Sequence, residues 1–327
     1  MEFRIAQEHD IPAIVNLLKQ SLGESLMPKS EGYWRWKHVE NPFGPSPVLV
    51  CWEDGELIGV RAFMRWEWRQ KDQRYRAVRA VDTATHPNHQ GKGIFKKLTL
   101  SLVDTCTQAG DHFVFNTPNT QSKPGYLKMG WSEAGRLPVK MSIVRPIHMI
   151  RNGLFGGNKR EGAASSALSE HLRHPQLDAL LKKYFQHQAS LSTSSSVAYL
   201  KWRYLDVPVA NYVGIAEEQK GELTGLVIGR IKPSRFGREL RITDCFLAKE
   251  SDGRELMLQL KEKRKQWGID YITLSGTVSV STEKIFRSAI RTSLGPVVTI
   301  RSLSLKDLSG LQDFNQWSPT LGDLELF

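Results

Sequence analysis

The sequence predicts an α/β (α+β) chain built as two tandem copies of one fold, each a mixed, largely antiparallel sheet flanked by helices. Three observations lead there. Runs of strand period alternate with runs of helical period. A glycine-containing turn, "HPNHQGKGIFKKL" (His86–Leu98), joins a strand to a helix. The first half is echoed by the second at a nearly constant spacing.

The elements follow in order. "FRIA" reads as a short strand, after which Asp10 is placed to N-cap a helix with Pro12 in its first turn. Ile11, Ile14, Val15, Leu18 and Leu22 give that helix one apolar face. The aromatic and basic segment "EGYWRWKHVENPFGPS" is helix-like and stops at Asn41-Pro42. In "PVLVCWEDGELIGVRAFMRWEW" two β-rich runs meet at Asp54-Gly55, a hairpin signal. A turn near Lys71-Asp72 leads to a third strand, "YRAVRAVDTAT", completing an antiparallel meander. After the glycine turn, Ile94, Leu98, Leu102 and Cys106 mark a helix with one side buried. "HFVFN" is another strand, followed by the loop "TPNTQSKPG" and the segment "YLKMGW".

Residues 146–195 change character. "RNGLFGGNKREGAASSALSE" and "ASLSTSSS" are rich in Gly, Ser and Ala and flank a helix from about Pro175 to Gln188, so this stretch is a connector. Beyond it, "YLKWRYLDVP" (Tyr199) repeats "YWRWKHVENP" (Tyr33) 166 residues later, and at the same offset "GELTG" (Gly221) repeats "GELIG" (Gly55). With one loop shortened by four residues, Asp82 falls on Asp244, Gly91 on Gly253 and Leu98 on Leu260. Such order-preserving matches indicate duplication, giving domains 1–145 and 196–327 around the connector.

Composition narrows the classes. No apolar run approaches the roughly 18 residues of a membrane span, and "MEFRIAQEHD" lacks the apolar core of a secretory signal, so the cytoplasm is expected. Cys51, Cys106 and Cys245 have neither disulfide nor metal spacing; they read as core thiols, and no metal is expected. A net charge of +11 favours an anionic partner without saying which.

The turn narrows that choice. Gly91 and Gly93 at a helix N-terminus let an anion approach backbone N–H groups, and Lys92, Lys96 and Lys97 add positive charge. Neither dinucleotide nor P-loop glycine fingerprints are present. The stretch resembles the pyrophosphate-binding motif of the GCN5-related N-acetyltransferase (GNAT) superfamily, [Gln/Arg]-x-x-Gly-x-[Gly/Ala] after a strand ending in His-Pro. Gln90 takes the first position, Gly93 the glycine, and Phe95 departs from the small final residue. "FRIAQEHDIPAIVNLL" and "YLKMGW" are similar to the superfamily's opening elements and its Tyr-x-Lys-x-Gly-[Phe/Trp] segment, so the likeness covers about residues 1–145. It implies two tandem GNAT-like domains, with acetyl-CoA as co-substrate. Thr83, Ala84 and Thr85 would bind the pantetheine arm, and Gln90, Gly91, Lys92, Gly93, Ile94 and Phe95 the pyrophosphate.

Acyl transfer to an amine needs a neutral nucleophile, oxyanion stabilisation and a proton for the leaving thiolate. The resemblance gives the last role to Tyr126, although a tyrosine packed between helix and sheet fits the same position. Asp82 is the base candidate; its match to Asp244 in a copy without evident catalysis favours a structural role. A backbone N–H of Thr83 to Thr85 would hold the oxyanion. Asn116 and Asn119 are placed either to bind pantetheine amides or to cap the next turn. Against Asn88, Gln90 and Gly93, the second copy sets Glu250, Asp252 and Glu255, which repel a pyrophosphate by about 1 to 4 kcal/mol per close pair. No CoA site is therefore expected there. Trp36, repeated as Trp202, reads as packing, whereas Trp34, replaced by Leu200, stays open between packing and acceptor binding. The expected activity is acetyl transfer from acetyl-CoA to a small-molecule amine or amino sugar. The alternatives are a CoA-binding sensor without catalysis and an aminoacyl-tRNA-dependent transferase, nucleic acid being the less expected partner.

Overall fold

The computed structural model describes residues 1–24, 27–155, 167–248, 251, 253–275 and 289–324. Glu250, Asp252 and connector residues 156–166 lie outside these.

The chain opens with β1 (Glu2–Ile5) and α1 (Ile11–Leu22), whose apolar face packs under the first sheet. Asp10 does not cap α1 with its side chain. Its carboxylate instead accepts from Arg4 at 2.6 and 2.8 Å and from the Gln7 N–H at 2.7 Å, which pins β1 to the helix entry. The Arg4 hydrogen bond holds this buried carboxyl below its usual range. Next come α2 (Glu31–His38), β2 (Val48–Glu53), β3 (Glu56–Gln70) and β4 (Gln73–Thr85). Asp54 and Gly55 both have positive φ, 52° and 80°, as the hairpin signal required. Then follow α3 (Ile94–Gln108), β5 (Phe113–Asn116), α4 (Lys123–Lys128), β6 (Ser132–Arg136), β7 (Val139–Ile143) and α5 (Pro146–Phe155).

The connector carries α6 (Leu168–His171), α7 (Leu177–Gln186) and the short β8 (Ser192–Thr193). The second half runs α8 (Val197–Tyr204), β9 (Val213–Gln219), β10 (Glu222–Ser234), β11 (Gly237–Leu247), α9 (Arg254–Gln266), β12 (Tyr271–Ser275), β13 (Ile290–Thr292), β14 (Val297–Ser302), α10 (Ser309–Gln312) and α11 (Leu321–Leu324).

Two mixed sheets result. The first is ordered β1-β2-β3-β4-β5-β14-β6, with β8 paired to β3; the second is β13-β7-β12-β11-β10-β9. The halves thus trade strands. β14, from the second half, sits antiparallel between β5 and β6. β7, from the first half, sits between β12 and β13.

The duplication is visible in matched details. Ser30 and Ser196 each accept from the backbone N–H of the residue three further on, Tyr33 and Tyr199, at 3.1 Å, so α2 and α8 start alike. Gly59 and Gly225 lie beneath α3 and α9; a Cβ there would come within 2.6 Å of Ile94 and 2.7 Å of Leu256. One aromatic core, including Trp66, Trp68, Phe115, Tyr199 and Trp317, spans both halves. Cys51 and Cys106 are buried, while Cys245 is partly buried; all three are free thiols.

Candidate active site

The first copy gathers most of the expected residues at the end of β4. β5 pairs with β4 only at Ala77, Val78 and Arg79, yet β4 continues to Thr85. From Ala80 onward no strand among the described residues pairs with that edge, which leaves backbone groups there for a ligand, although the Thr85 carbonyl accepts from Ser21 Oγ at 3.2 Å. Asp82, with φ of 36°, is the extra residue of a β-bulge, since Arg61 pairs with Thr83 and Ala62 with Val81. The bulge resets the alternation. Ala84 shares the α1 face with Val60 and Ala62, and Thr83 stands across from Arg61 on the face carrying α3 and α4.

Beyond Thr85 the chain makes a single 3₁₀ turn, Pro87–His89, and enters α3 through Gly91 (φ 78°) and Gly93 (φ 77°). Both angles are left-handed, and nothing lies within 4 Å of a Cβ built on either glycine. Conformation and open approach, not crowding, select glycine here. Gln90 is exposed at this turn. Lys92 lies 3.7 Å from Glu53 and Lys97 covers the Phe3 ring, so only part of the lysine charge faces the turn. Ile94 is buried under the sheet, and the ring of Phe95 stands edge-on to Tyr126 at 5.7 Å.

Tyr126 on α4 is 4 % exposed. Its hydroxyl oxygen accepts from Arg61 Nη2 at 2.6 Å, and its ring packs edge-on to Trp131. Asn116 is buried and accepts from the Thr299 hydroxyl of β14. Asn119 caps the turn into α4, accepting from Gln121 N–H at 3.1 Å and Ser122 N–H at 2.8 Å.

Asp82 turns to the other face of the sheet. Its carboxylate accepts from Lys37 Nζ and His38 Nε2, both at 2.8 Å. A carboxylate partner requires the proton on Nε2, so Nδ1 of a neutral His38 accepts from Ser46 at 2.9 Å. Burial opposes charge on Asp82, but the adjacent Lys37 ammonium and the hydrogen bonds outweigh it and hold the carboxyl far below its usual range. Burial lowers the His38 pKa despite Asp82. Trp34 packs against the His38 ring at 4.1 Å and is buried.

The second copy departs from the first at several of these places. Ile94 opens α3, but its counterpart Leu256 is the third residue of α9; Gly253 keeps a left-handed N-cap (φ 67°) like Gly93, while the positions matching Lys92 and Gly93 are Arg254 and Glu255 in the first turn of the helix. The bulge on β11 falls at Thr243, so Asp244 pairs with Ile228. Where β11 and β12 part, the segment Pro319 to Leu324 lies between them. Ser275 donates to the Pro319 carbonyl at 2.7 Å, and Tyr204 donates to Asp244 beside Gly322. Arg203 and Arg79 donate to the carbonyls of Gly322, Asp323 and Leu324, fixing this segment between the halves.

The sequence reading missed Arg61 and the Lys37–His38–Asp82 cluster. An arginine inside the apolar run "LIGVRAFM" was the available signal for the first. The repeat of Lys37-His38 as Arg203-Tyr204 alongside that of Asp82 as Asp244 was the signal for the second.

A strand edge left open beyond a bulge, leading to a glycine turn at a helix N-terminus with a buried tyrosine beside it, is an arrangement suited to acyl transfer. The acetyltransferase (GNAT) domain family matches residues 2–134. The chain is 32 % identical over 148 residues to the L-methionine sulfoximine/L-methionine sulfone acetyltransferase of Salmonella typhimurium, covering 42 % of this chain and 84 % of that protein. It is 30 % identical over 95 residues to the L-amino acid N-acyltransferase MnaT of Escherichia coli, covering 28 % and 54 %. Among solved structures, a probable N-acyltransferase of Enterococcus faecalis superposes with a TM-score of 0.67 at 10 % identity, covering 94 % of this chain and 74 % of that one. A GCN5-related N-acetyltransferase of Anabaena variabilis gives 0.64 at 18 %, covering 92 % and 73 %. The chain belongs to the GNAT superfamily and is an N-acetyltransferase of tandem arrangement. Among the described residues, no helix is long and apolar enough to cross a membrane.

Proposed function

We propose that this enzyme transfers an acetyl group from acetyl-CoA to the amino group of a small amino-acid-like acceptor, by direct attack. The observation that carries the reading is the open edge of β4 from Ala80 to Thr85, ending in the two left-handed glycines and flanked by Tyr126. Thr83 to Thr85 would hold the pantetheine arm through their backbone, and Gln90 to Phe95 the pyrophosphate. Acetyl-CoA supplies the activated acyl group; Tyr126 donates the proton that the leaving sulfur requires. A carboxyl held as low as Asp82 is a poor base, so Asp82 is assigned the work of fixing α2 to the bulge. Asn119 is engaged as a turn cap and the Asn116 side-chain oxygen accepts from Thr299; of the two, Asn116 is assigned to a pantetheine amide. The relatives that act on methionine sulfone and on L-amino acids favour an amino acid over an amino sugar.

The second copy is assigned no CoA. Glu255 stands in the first turn of α9 where the first copy has Gly93, and Pro319 to Leu324 fill the parting of its strands. One acetyl-CoA per chain is expected in isothermal titration; two would overturn this assignment. For the activity, thiol release is followed with acetyl-CoA and a panel containing L-methionine sulfone, L-methionine sulfoximine and glucosamine. Turnover with the amino acids, reduced in Tyr126→Phe while acetyl-CoA binding is kept, supports the reading. Binding without turnover on any amine would favour a CoA sensor instead.

A further inference from the structure

Arg61 has no place in the chemistry assigned so far. It is wholly buried in the middle of β3, and its Nη2 donates to the Tyr126 hydroxyl oxygen. Its guanidinium carbon lies 5.0 Å from the Phe63 ring centroid, 5.4 Å from that of Tyr126 and 5.7 Å from that of Phe95. Nε and Nη1 are buried without a hydrogen-bond partner among the described residues. A buried cation lacking a counter-charge is costly to a fold, and such groups concentrate where chemistry needs them. The second copy shows that the fold does not need it. Val227 pairs with Cys245 there as Arg61 pairs with Thr83.

We propose that Arg61 is a positioning residue for the acid step, a role that rests on the assignment of Tyr126 as acid. A guanidinium only donates, so the phenol oxygen must accept from it. The phenol's own proton then points away from Arg61. When the amine nitrogen bonds to the acyl carbon, the carbon–sulfur bond breaks with its electron pair on sulfur, and that sulfur takes the Tyr126 proton. The charge left on the phenol oxygen lies 2.6 Å from Nη2, whose guanidinium sits among the rings of Phe63 and Phe95. The nitrogen sheds its extra proton to solvent, and Tyr126 regains one from solvent, so the cycle balances.

A double-mutant cycle tests this with acetyl-CoA and L-methionine sulfone as substrates. Arg61→Met is expected to lower kcat by about tenfold to a hundredfold, with acetyl-CoA affinity held within about threefold by titration calorimetry. In the Tyr126→Phe background the same change is expected to remove less than about twofold further. Arg61→Lys keeps the charge with a single donor centre; it is expected to lose less than Met and to be equally silent in the Phe background. Equal losses in both backgrounds, for either substitution, would overturn the proposal, as would an unchanged kcat. Full activity of Tyr126→Phe alone would remove the acid assignment itself, a separate and recognisable failure.

Discussion

Trp36 and Trp202 exchange identical hydrogen bonds: each indole Nε1 donates to the other residue's carbonyl at 2.7 Å, and the rings stack at 4.6 Å. A local two-fold relation between the copies is thereby built into one residue pair, and the tryptophan repeat is a packing device. Removing one indole leaves a buried carbonyl without its donor. Trp36→Phe is expected to cost about 1 to 3 kcal/mol, read from urea unfolding, and the Trp36→Phe/Trp202→Phe pair should be clearly non-additive. Simple additivity would show that the two bonds act independently.

Asp82→Asn should destabilise the protein by about 3 to 5 kcal/mol, because it strands the buried Lys37 ammonium. The pH dependence has a definite sign. A carboxyl depressed in the folded state contributes stability above its unfolded pKa and loses it as pH falls below about 4. His38, also depressed, adds loss as pH falls below its ordinary 6.5. Thermal unfolding from pH 7 to 3 should thus show falling stability, with a shallower slope below pH 4 in Asp82→Asn. A parallel slope would contradict it.

Asp244 behaves in the opposite sense. Burial and the nearby Asp323 push its carboxyl well above the usual range. Its folded-state proton stabilises at low pH, and that contribution fades as pH rises from about 4 toward neutrality. Asp244→Asn should accordingly raise Tm at pH 8 relative to wild type by more than at pH 5. An effect of equal size at both pH values would show that the carboxyl is ionised throughout.

Gly93→Ala places a Cβ at φ 77°, which costs about 1 to 2 kcal/mol. Nothing within 4 Å clashes with it, so the fold should survive with a lowered Tm. Acetyl-CoA affinity should fall by about tenfold as the turn shifts. Unaltered affinity would place the pyrophosphate elsewhere.

Deleting residues 289–327 removes none of the residues assigned to acetyl-CoA, yet it strips β14 from between β5 and β6 and the Thr299 contact from Asn116. Acetyl-CoA binding should be lost along with cooperative unfolding of the first sheet. Retained binding, measured by calorimetry, would mean that β5 and β6 close up without it.

The layers and their order were legible because strand and helix periods differ and Asp54-Gly55 admits few other conformations. The duplication was legible because Tyr33, Trp36 and Gly55 recur at one spacing. The exchange of β7 and β14 was not, since an alternating apolar strand completes either sheet equally well. In the site, the glycines can be read from the sequence, and Tyr126 only through the family resemblance. Arg61 could not be read that way, because its burial depends on aromatic rings from β3, α3 and α4 meeting over it. Asp82 was legible as a residue of interest but not as the centre of a bulge, which only cross-strand register defines.

The traded strands also set a schedule. Asn116 and its partner Thr299 are 183 residues apart in the chain. At about 5 to 20 residues per second of synthesis, roughly 10 to 40 s separate their appearance. During that interval the first sheet has β5 but no neighbour for its open edge. Until β14 emerges, the growing chain holds the first sheet without the strand that joins β5 to β6.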